Sequence, residues 1–226
     1  MIISLHLPKT AGMSFRRSLQ DYFGKSLVPH YDYPLNYPEY ERCRNALQTA
    51  IKIAEHEGEP PKCIHGHFLP VTYLLLAVKR DLKFITWMRN PVDRAVSHYN
   101  FWVKVYDPEL APPLLKKMAE ENWSLERFCL GEEFRNIYSQ YLWGFPFERF
   151  DFIGIAESYD DDLAYFSREY LDDSLVSYSE NVAEKKGGRY EIDADLRKRI
   201  EAHHSKDMEL YEKALQLQKL RTQSGS

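Results

Sequence analysis

Cysteine is scarce and unpaired in this chain. Its 226 residues contain three, Cys43, Cys63 and Cys129, far apart and in no CxxC spacing. That pattern argues against a disulfide framework and a zinc site, and it reads as small core residues kept reduced in the cytoplasm. Long apolar runs are missing as well. Val71 to Val78 is among the strongest, far short of the roughly 20 residues that cross a bilayer. The N-terminus has no basic region ahead of a long apolar stretch, so a secretion signal is not indicated. Cationic surplus is absent too: 30 Lys and Arg stand against 34 Asp and Glu, a formal net charge of −4. This excludes a global basic field for nucleic acid or an anionic membrane. A local anion site survives, because the field in a cleft depends on nearby charges. There are no internal repeats and no low-complexity domain.

Hydrophobic residues make up 44% of the chain and aromatic residues 14%, enough for one sizeable core and thin for two. A single domain over residues 1–221 is expected, with 222–226 as a disordered tail. Ile2 to Leu7 reads as a strand, followed by a helix carrying Phe15, Leu19, Tyr22 and Phe23 and stopped by Gly24. Residues 31–40, with two prolines and four tyrosines, read as an irregular loop. Tyr40 to His56 is expected to be a helix, Cys63 to His67 a short strand ending in His-Gly-His, and Val71 to Val78 a helix. Phe84 to Met88 is a buried-type strand. Pro91 to Val105 is the helix after it, with proline at a tolerated first-turn position. Further helices lead to a strand over Phe150 to Ile155 and a helix over Asp160 to Leu171 whose acidic first turn suits the dipole. Asp193 to Arg221 reads as one long helix. Strands alternating with helices predict an α/β three-layer sandwich with a central parallel sheet and helices on both faces. In such sheets, ligands bind beyond the carboxyl ends of the strands.

Two strand-to-helix junctions carry chemistry. In Pro8-Lys9-Thr10-Ala11-Gly12-Met13-Ser14, lysine, two hydroxyls and a glycine meet a helix N-terminus. Backbone N–H groups there favour a phosphate-like anion, which Gly12 would let approach closely. It is not a Walker A loop, where the lysine follows the second glycine and precedes a metal-binding hydroxyl. The alternative is an ordinary turn with a Ser/Thr cap. The second junction runs from Phe84 through Arg89 to Tyr99. Arg89 leaves the strand at the ligand edge, and Ser97 follows about two helical turns along, so both can reach one phosphate. The alternative is that Arg89 and Arg94 pair with Asp93 or other surface carboxylates. His98 is expected on the helix surface, and His203 and His204 as structural residues of the last helix.

Taken together, Pro8-Lys9-Thr10-Ala11-Gly12-x-Ser14-Phe15 and Arg89-x-Pro91-x-x-Arg94-x-x-Ser97-x-Tyr99 resemble the sulfotransferases that use 3′-phosphoadenosine-5′-phosphosulfate. The likeness is closest to the heparan sulfate 2-O-sulfotransferase-like carbohydrate enzymes. Ile64-His65-Gly66-His67 is similar to that group's histidine motif. Residues 152–157 resemble its later strand and turn, and 181–189 its nucleotide-covering loop. The resemblance implies a P-loop-NTPase-like sulfotransferase fold. It implies that Lys9 stabilises charge on the departing phosphate, and that Thr10, Ala11, Gly12, Met13 and Ser14 hold the 5′-phosphate. Arg89 and Ser97 would hold the 3′-phosphate, and Lys185, Lys186, Gly187 and Gly188 would cover the nucleotide. Met13 departs from the family's Thr or Ser and removes one hydroxyl.

Transfer to an alcohol of a glycan, lipid or other small molecule also needs a base. Histidine is matched to that task, with His67 first and His65 in reserve; no metal is implied. A buried structural histidine is the alternative for either. The competing functions are a nucleotide-dependent small-molecule kinase, which would need a magnesium-linked hydroxyl that this loop lacks, and a non-catalytic nucleotide-binding module. Residues 31–40 would either contact the acceptor or pack on the core.

Overall fold

The computed structural model describes residues 1–55, 61–178 and 190–224. Five strands, β1 (Ile2–Leu5), β2 (Leu27–Pro29), β3 (Cys63–Gly66), β4 (Lys83–Met88) and β5 (Phe150–Ile155), form one sheet in the order β2-β3-β1-β4-β5. Every pairing is parallel. The helices are α1 (Gly12–Phe23), α2 (Glu39–Glu55), α3 (Leu74–Ala77), α4 (Pro91–Val105), α5 (Pro113–Glu120), α6 (Leu125–Cys129), α7 (Ile137–Tyr141), α8 (Tyr159–Tyr170), α9 (Ala194–His203) and α10 (Ser205–Ser224).

The sheet is apolar on both faces, as a parallel sheet buried between helices must be. Ile2, Ile85, Trp87 and Phe152 meet Phe15 and Leu19 of α1 and Leu163 and Phe166 of α8 on one face. Ile3, Leu5, Phe84, Met88 and Ile153 face the other, under residues of α2, α4, α6, α7 and α10. This is the expected α/β three-layer arrangement. After β1 the chain moves to β2 at one edge; after β3 it crosses β1 to reach β4. The reversal makes a switch point beyond the carboxyl ends of β1 and β4, where open α/β sheets bind ligands.

Helix α4 has the bounds its sequence implies. The Asn90 side chain accepts the N–H groups of Val92 and Asp93, and Pro91 occupies the first position. Four elements differ from expectation. β2 is three residues long and ends in proline, which leaves no alternation to read; pairing with β3 creates it. Residues 70–77 form a 3₁₀ turn over Pro70–Tyr73 before the single turn of α3. The long C-terminal helix divides at His204, a buried residue with φ −100° and ψ 31°. His204 Nδ1 accepts the Asn136 N–H at 3.2 Å while Nε2 donates to the Cys129 carbonyl at 2.8 Å, so tertiary bonds break the helix. Finally, α10 runs on to Ser224, and the Thr222 hydroxyl bonds the Lys219 carbonyl inside it, so residues 222–224, expected in a tail, are helical; residues 225–226 lie outside the described residues. No helix among the described residues is long and apolar enough to cross a membrane.

Candidate active site

The first junction leaves β1 into a strained turn. Lys9 and Ala11 both have φ 66°, the left-handed region that costs a non-glycine residue roughly 1–2 kcal/mol. Ala11 is the N-cap of α1, no side chain caps that helix, and its first turn carries no acidic residue. Among the described residues the positive end of α1 thus has no side-chain cap, in contrast to α4, where Asn90 fills the same position. Lys9 Nζ lies 4.0 Å over the Phe101 ring of α4, one turn beyond Ser97, which links the first junction to the second. Thr10 corrects an expectation: it is fully buried and its hydroxyl donates to the Leu7 carbonyl at 2.9 Å, so that proton braces the turn instead of facing solvent. Met13 is half exposed and Ser14 buried. Gly12 has a reason beyond the expected close approach of an anion: a Cβ there would collide with Cδ2 and Nε2 of the His6 ring.

At the second junction Arg89 is held by its backbone. The Tyr138 hydroxyl donates to the Arg89 carbonyl at 2.7 Å and lies 3.2 Å from its N–H. The Arg89 side chain is 7% exposed, Nη2 has no hydrogen-bond partner, and no ion pair holds it among the described residues. The surface pairing considered for Arg94 does not occur. Arg94 is fully buried, all three guanidinium nitrogens lack a partner among the described residues, and its guanidinium carbon lies 5.9 Å over the Tyr138 ring. Asp93 turns instead to Arg197 and the Tyr190 N–H. His98 is only partly exposed rather than standing on the helix surface. Trp102, Phe128 and Phe134 enclose it at 5.0–5.4 Å between ring centroids, because this face of α4 packs on α6. Burial pushes its pKa well down, and Arg94, Lys9 and His67 lie close enough to push further.

The histidine motif runs out of β3. Gly66 is required because a Cβ would strike the His30 carbonyl. The segment after β2 is stitched to it: His30 N–H bonds the His65 carbonyl at 3.0 Å, and Asp32 and Tyr33 N–H groups share the His67 carbonyl. The register pairs Leu5 with Gly66, so His6 and His67 come next on adjacent strands. Their rings stack at 4.2 Å, and His6 also stacks with His65 at 5.1 Å. These rings lie face to face, and no group of three among the described His, Cys, Asp and Glu residues is placed to hold a metal.

His67 Nδ1–H donates to the His6 carbonyl. A carbonyl can only accept, so the neutral ring carries its proton on Nδ1 and an unprotonated Nε2. Burial lowers the His67 pKa to about 4 against the opposing pull of that bond. His65 lies deeper, 2% exposed, with Nδ1 bonded to the Ser4 hydroxyl at 2.8 Å. Its pKa falls to about 3, through burial and then the nearby His67 and Arg16. His6 was missed in the sequence; only the strand register reveals it. The tyrosine loop divides as follows. Tyr31 packs, its hydroxyl 3.4 Å from His6 Nδ1 and its ring 5.1 Å from His67. Tyr33 borders His67 at 5.3 Å while half exposed.

A family model described as "Sulfotransferase domain" matches residues 37–153, just over half the chain. The chain belongs to the sulfotransferase family. The span matched to this sulfotransferase domain contains His65, His67, Arg89 and Ser97 and begins after the Lys9 junction. No curated protein sequence matches this sulfotransferase. Lys185, Lys186, Gly187 and Gly188 lie outside the described residues. A cavity of about 580 Å³ opens at the opposite edge of the sheet, among Lys83, Phe84, Phe150 and Asp151, and no motif residue lines it.

Proposed function

We propose that this sulfotransferase moves a sulfuryl group from 3′-phosphoadenosine-5′-phosphosulfate to an alcohol hydroxyl of a carbohydrate, lipid or other small molecule, with His67 as base. The observation that carries the reading is Arg89: a buried guanidinium with no carboxylate among the described residues, one strand away from a helix N-terminus with no side-chain cap and no acidic residue in its first turn. Burying an unpaired cation costs several kcal/mol, so such a group is retained where an anion completes it. Two such places on neighbouring strands suit the two ends of a doubly phosphorylated nucleotide.

The donor supplies an already activated sulfuryl group, so the protein's task is positioning and charge stabilisation. Lys9 and the first-turn N–H groups of α1 would hold the 5′ side, and Arg89 with Ser97 the 3′-phosphate. His67 stays neutral at physiological pH, and its Nε2 is the atom that would take the acceptor proton. His65 is too enclosed for that contact and would brace the stack instead. Tyr33, half exposed beside His67, offers a flat face to the acceptor. Three free cysteines suit a reducing, cytoplasmic setting. The resemblance of the two junctions to the heparan sulfate 2-O-sulfotransferase group suggests glycan hydroxyls for the first acceptor screen.

The donor reading is tested by thermal shift. Adenosine 3′,5′-bisphosphate without magnesium is expected to stabilise the chain, by about 2.7 kcal/mol at one hundred times its dissociation constant. Stabilisation only by magnesium-ATP would replace this reading with the kinase. Nucleotide binding without transfer to any alcohol would leave a binding module.

A further inference from the structure

Arg89 presents a problem of orientation. Its backbone is pinned by the Tyr138 hydroxyl, but among the described residues no carboxylate aims its side chain. Asp93, the carboxylate nearest in sequence, is fully buried and engaged elsewhere. Its Oδ1 accepts the Tyr190 N–H at 2.9 Å and lies 3.5 Å from Arg197 Nη2. Arg197 Nη2 in turn donates to the Tyr190 carbonyl at 2.9 Å. Both backbone polar groups of Tyr190 are thus clamped between a charge on the first turn of α4 and one on α9. The clamped residue places its ring 5.4 Å from the Arg89 guanidinium carbon.

We propose that Tyr190, held by the Asp93–Arg197 clamp, is a positioning residue that orients Arg89 toward the 3′-phosphate of the donor. The physical reason is the difference between a ring and a carboxylate as a partner. A carboxylate would aim a guanidinium by occupying its N–H fork and neutralising it. An aromatic face attracts the cation through its quadrupole and leaves the N–H groups unused. Arg89 accordingly keeps Nη2 without a partner among the described residues, ready for a phosphate oxygen. The inference rests on the donor reading above and adds the residue that prepares its 3′ site.

The test is calorimetric titration of the full chain with adenosine 3′,5′-bisphosphate and with adenosine 5′-monophosphate. The ratio of the two affinities isolates the 3′-phosphate. A charge-assisted contact of ordinary strength predicts a ratio of roughly 10- to 150-fold for the unaltered protein. Tyr190→Leu fills a similar volume without a ring face. It is expected to cut the ratio about 5-fold or more, in line with a desolvated cation–π contact, and to leave 5′-monophosphate affinity in place. Tyr190→Phe keeps the ring and is expected to keep the ratio. If Tyr190→Leu weakens both nucleotides alike, or leaves the ratio untouched, the positioning role is overturned. If Tyr190→Leu does not fold, a Tyr190→Phe protein that folds and loses the ratio overturns it equally. An unaltered protein that binds both nucleotides equally would remove the donor reading itself, and this inference with it.

Discussion

Gly12→Ala separates two reasons for a glycine at the first junction. Gly12 opens α1, and its φ lies outside the left-handed region, so alanine there is not strained by the backbone. At a compatible position, Gly→Ala stabilises by about 0.4–1 kcal/mol through the unfolded chain. The new Cβ, however, would fall within the His6 ring. That ring cannot swing aside freely, being 6% exposed and stacked with both His65 and His67. Overpacking of this kind costs about 1–3 kcal/mol, so Gly12→Ala is expected to destabilise by a net of about 1–2 kcal/mol, the clash outweighing the entropic gain. In a His6→Ala background the obstacle is gone and only the gain remains, so the same substitution should stabilise. The assay is urea unfolding of the four proteins of the cycle without nucleotide. A change of sign between backgrounds supports the steric reason. The same effect in both, within about 0.5 kcal/mol, would refute it. A neutral or stabilising Gly12→Ala in the unaltered protein would point back to anion approach as the glycine's only task.

Two further outcomes follow from the buried groups. Tyr138→Phe removes the hydroxyl that bridges the Arg89 N–H and carbonyl, both buried. It should cost about 1–3 kcal/mol in urea unfolding and weaken adenosine 3′,5′-bisphosphate binding; unchanged stability would show that the second junction does not need this anchor. His65, His67 and His204 have pKa values lowered to about 3, 4 and 3, all chiefly by burial. Between the unfolded value near 6.5 and these, the unfolded chain binds more protons than the fold, so stability rises with pH and is lost as pH falls. Each contributes about 1.4 kcal/mol per pH unit, roughly 4 kcal/mol in all between pH 7 and 5.5. Equal urea midpoints at those two pH values would contradict the neutral histidine stack.

The legible parts of the sequence were those with local causes. Pro91–Val105 and Phe150–Ile155 have the expected bounds because a capped, proline-opened helix and a short apolar strand are marked by neighbouring residues. β2 left no such mark, and the break at His204 comes from bonds to Asn136 and Cys129, far away in the chain. His98 is covered by Phe128 and Phe134, rings from segments far along the chain, which its own neighbours do not record. Its spacing to Trp102, one turn on, was the available signal that this side of the helix is covered.

By itself the sequence determined two βα junctions rich in anion-binding groups, a parallel α/β architecture and the family's motifs, since periodicity and turn chemistry act over a few residues. Only the tertiary structure decided that β1 lies between β3 and β4, which brings His6 onto His67 and sets the Lys9 and Arg89 junctions on adjacent strands. It also turned Thr10 inward and placed Tyr190 against Arg89. These depend on strand order, register and ring packing between segments far apart in sequence. Those contacts are chosen by burial and shape across the whole core, and no local pattern records them.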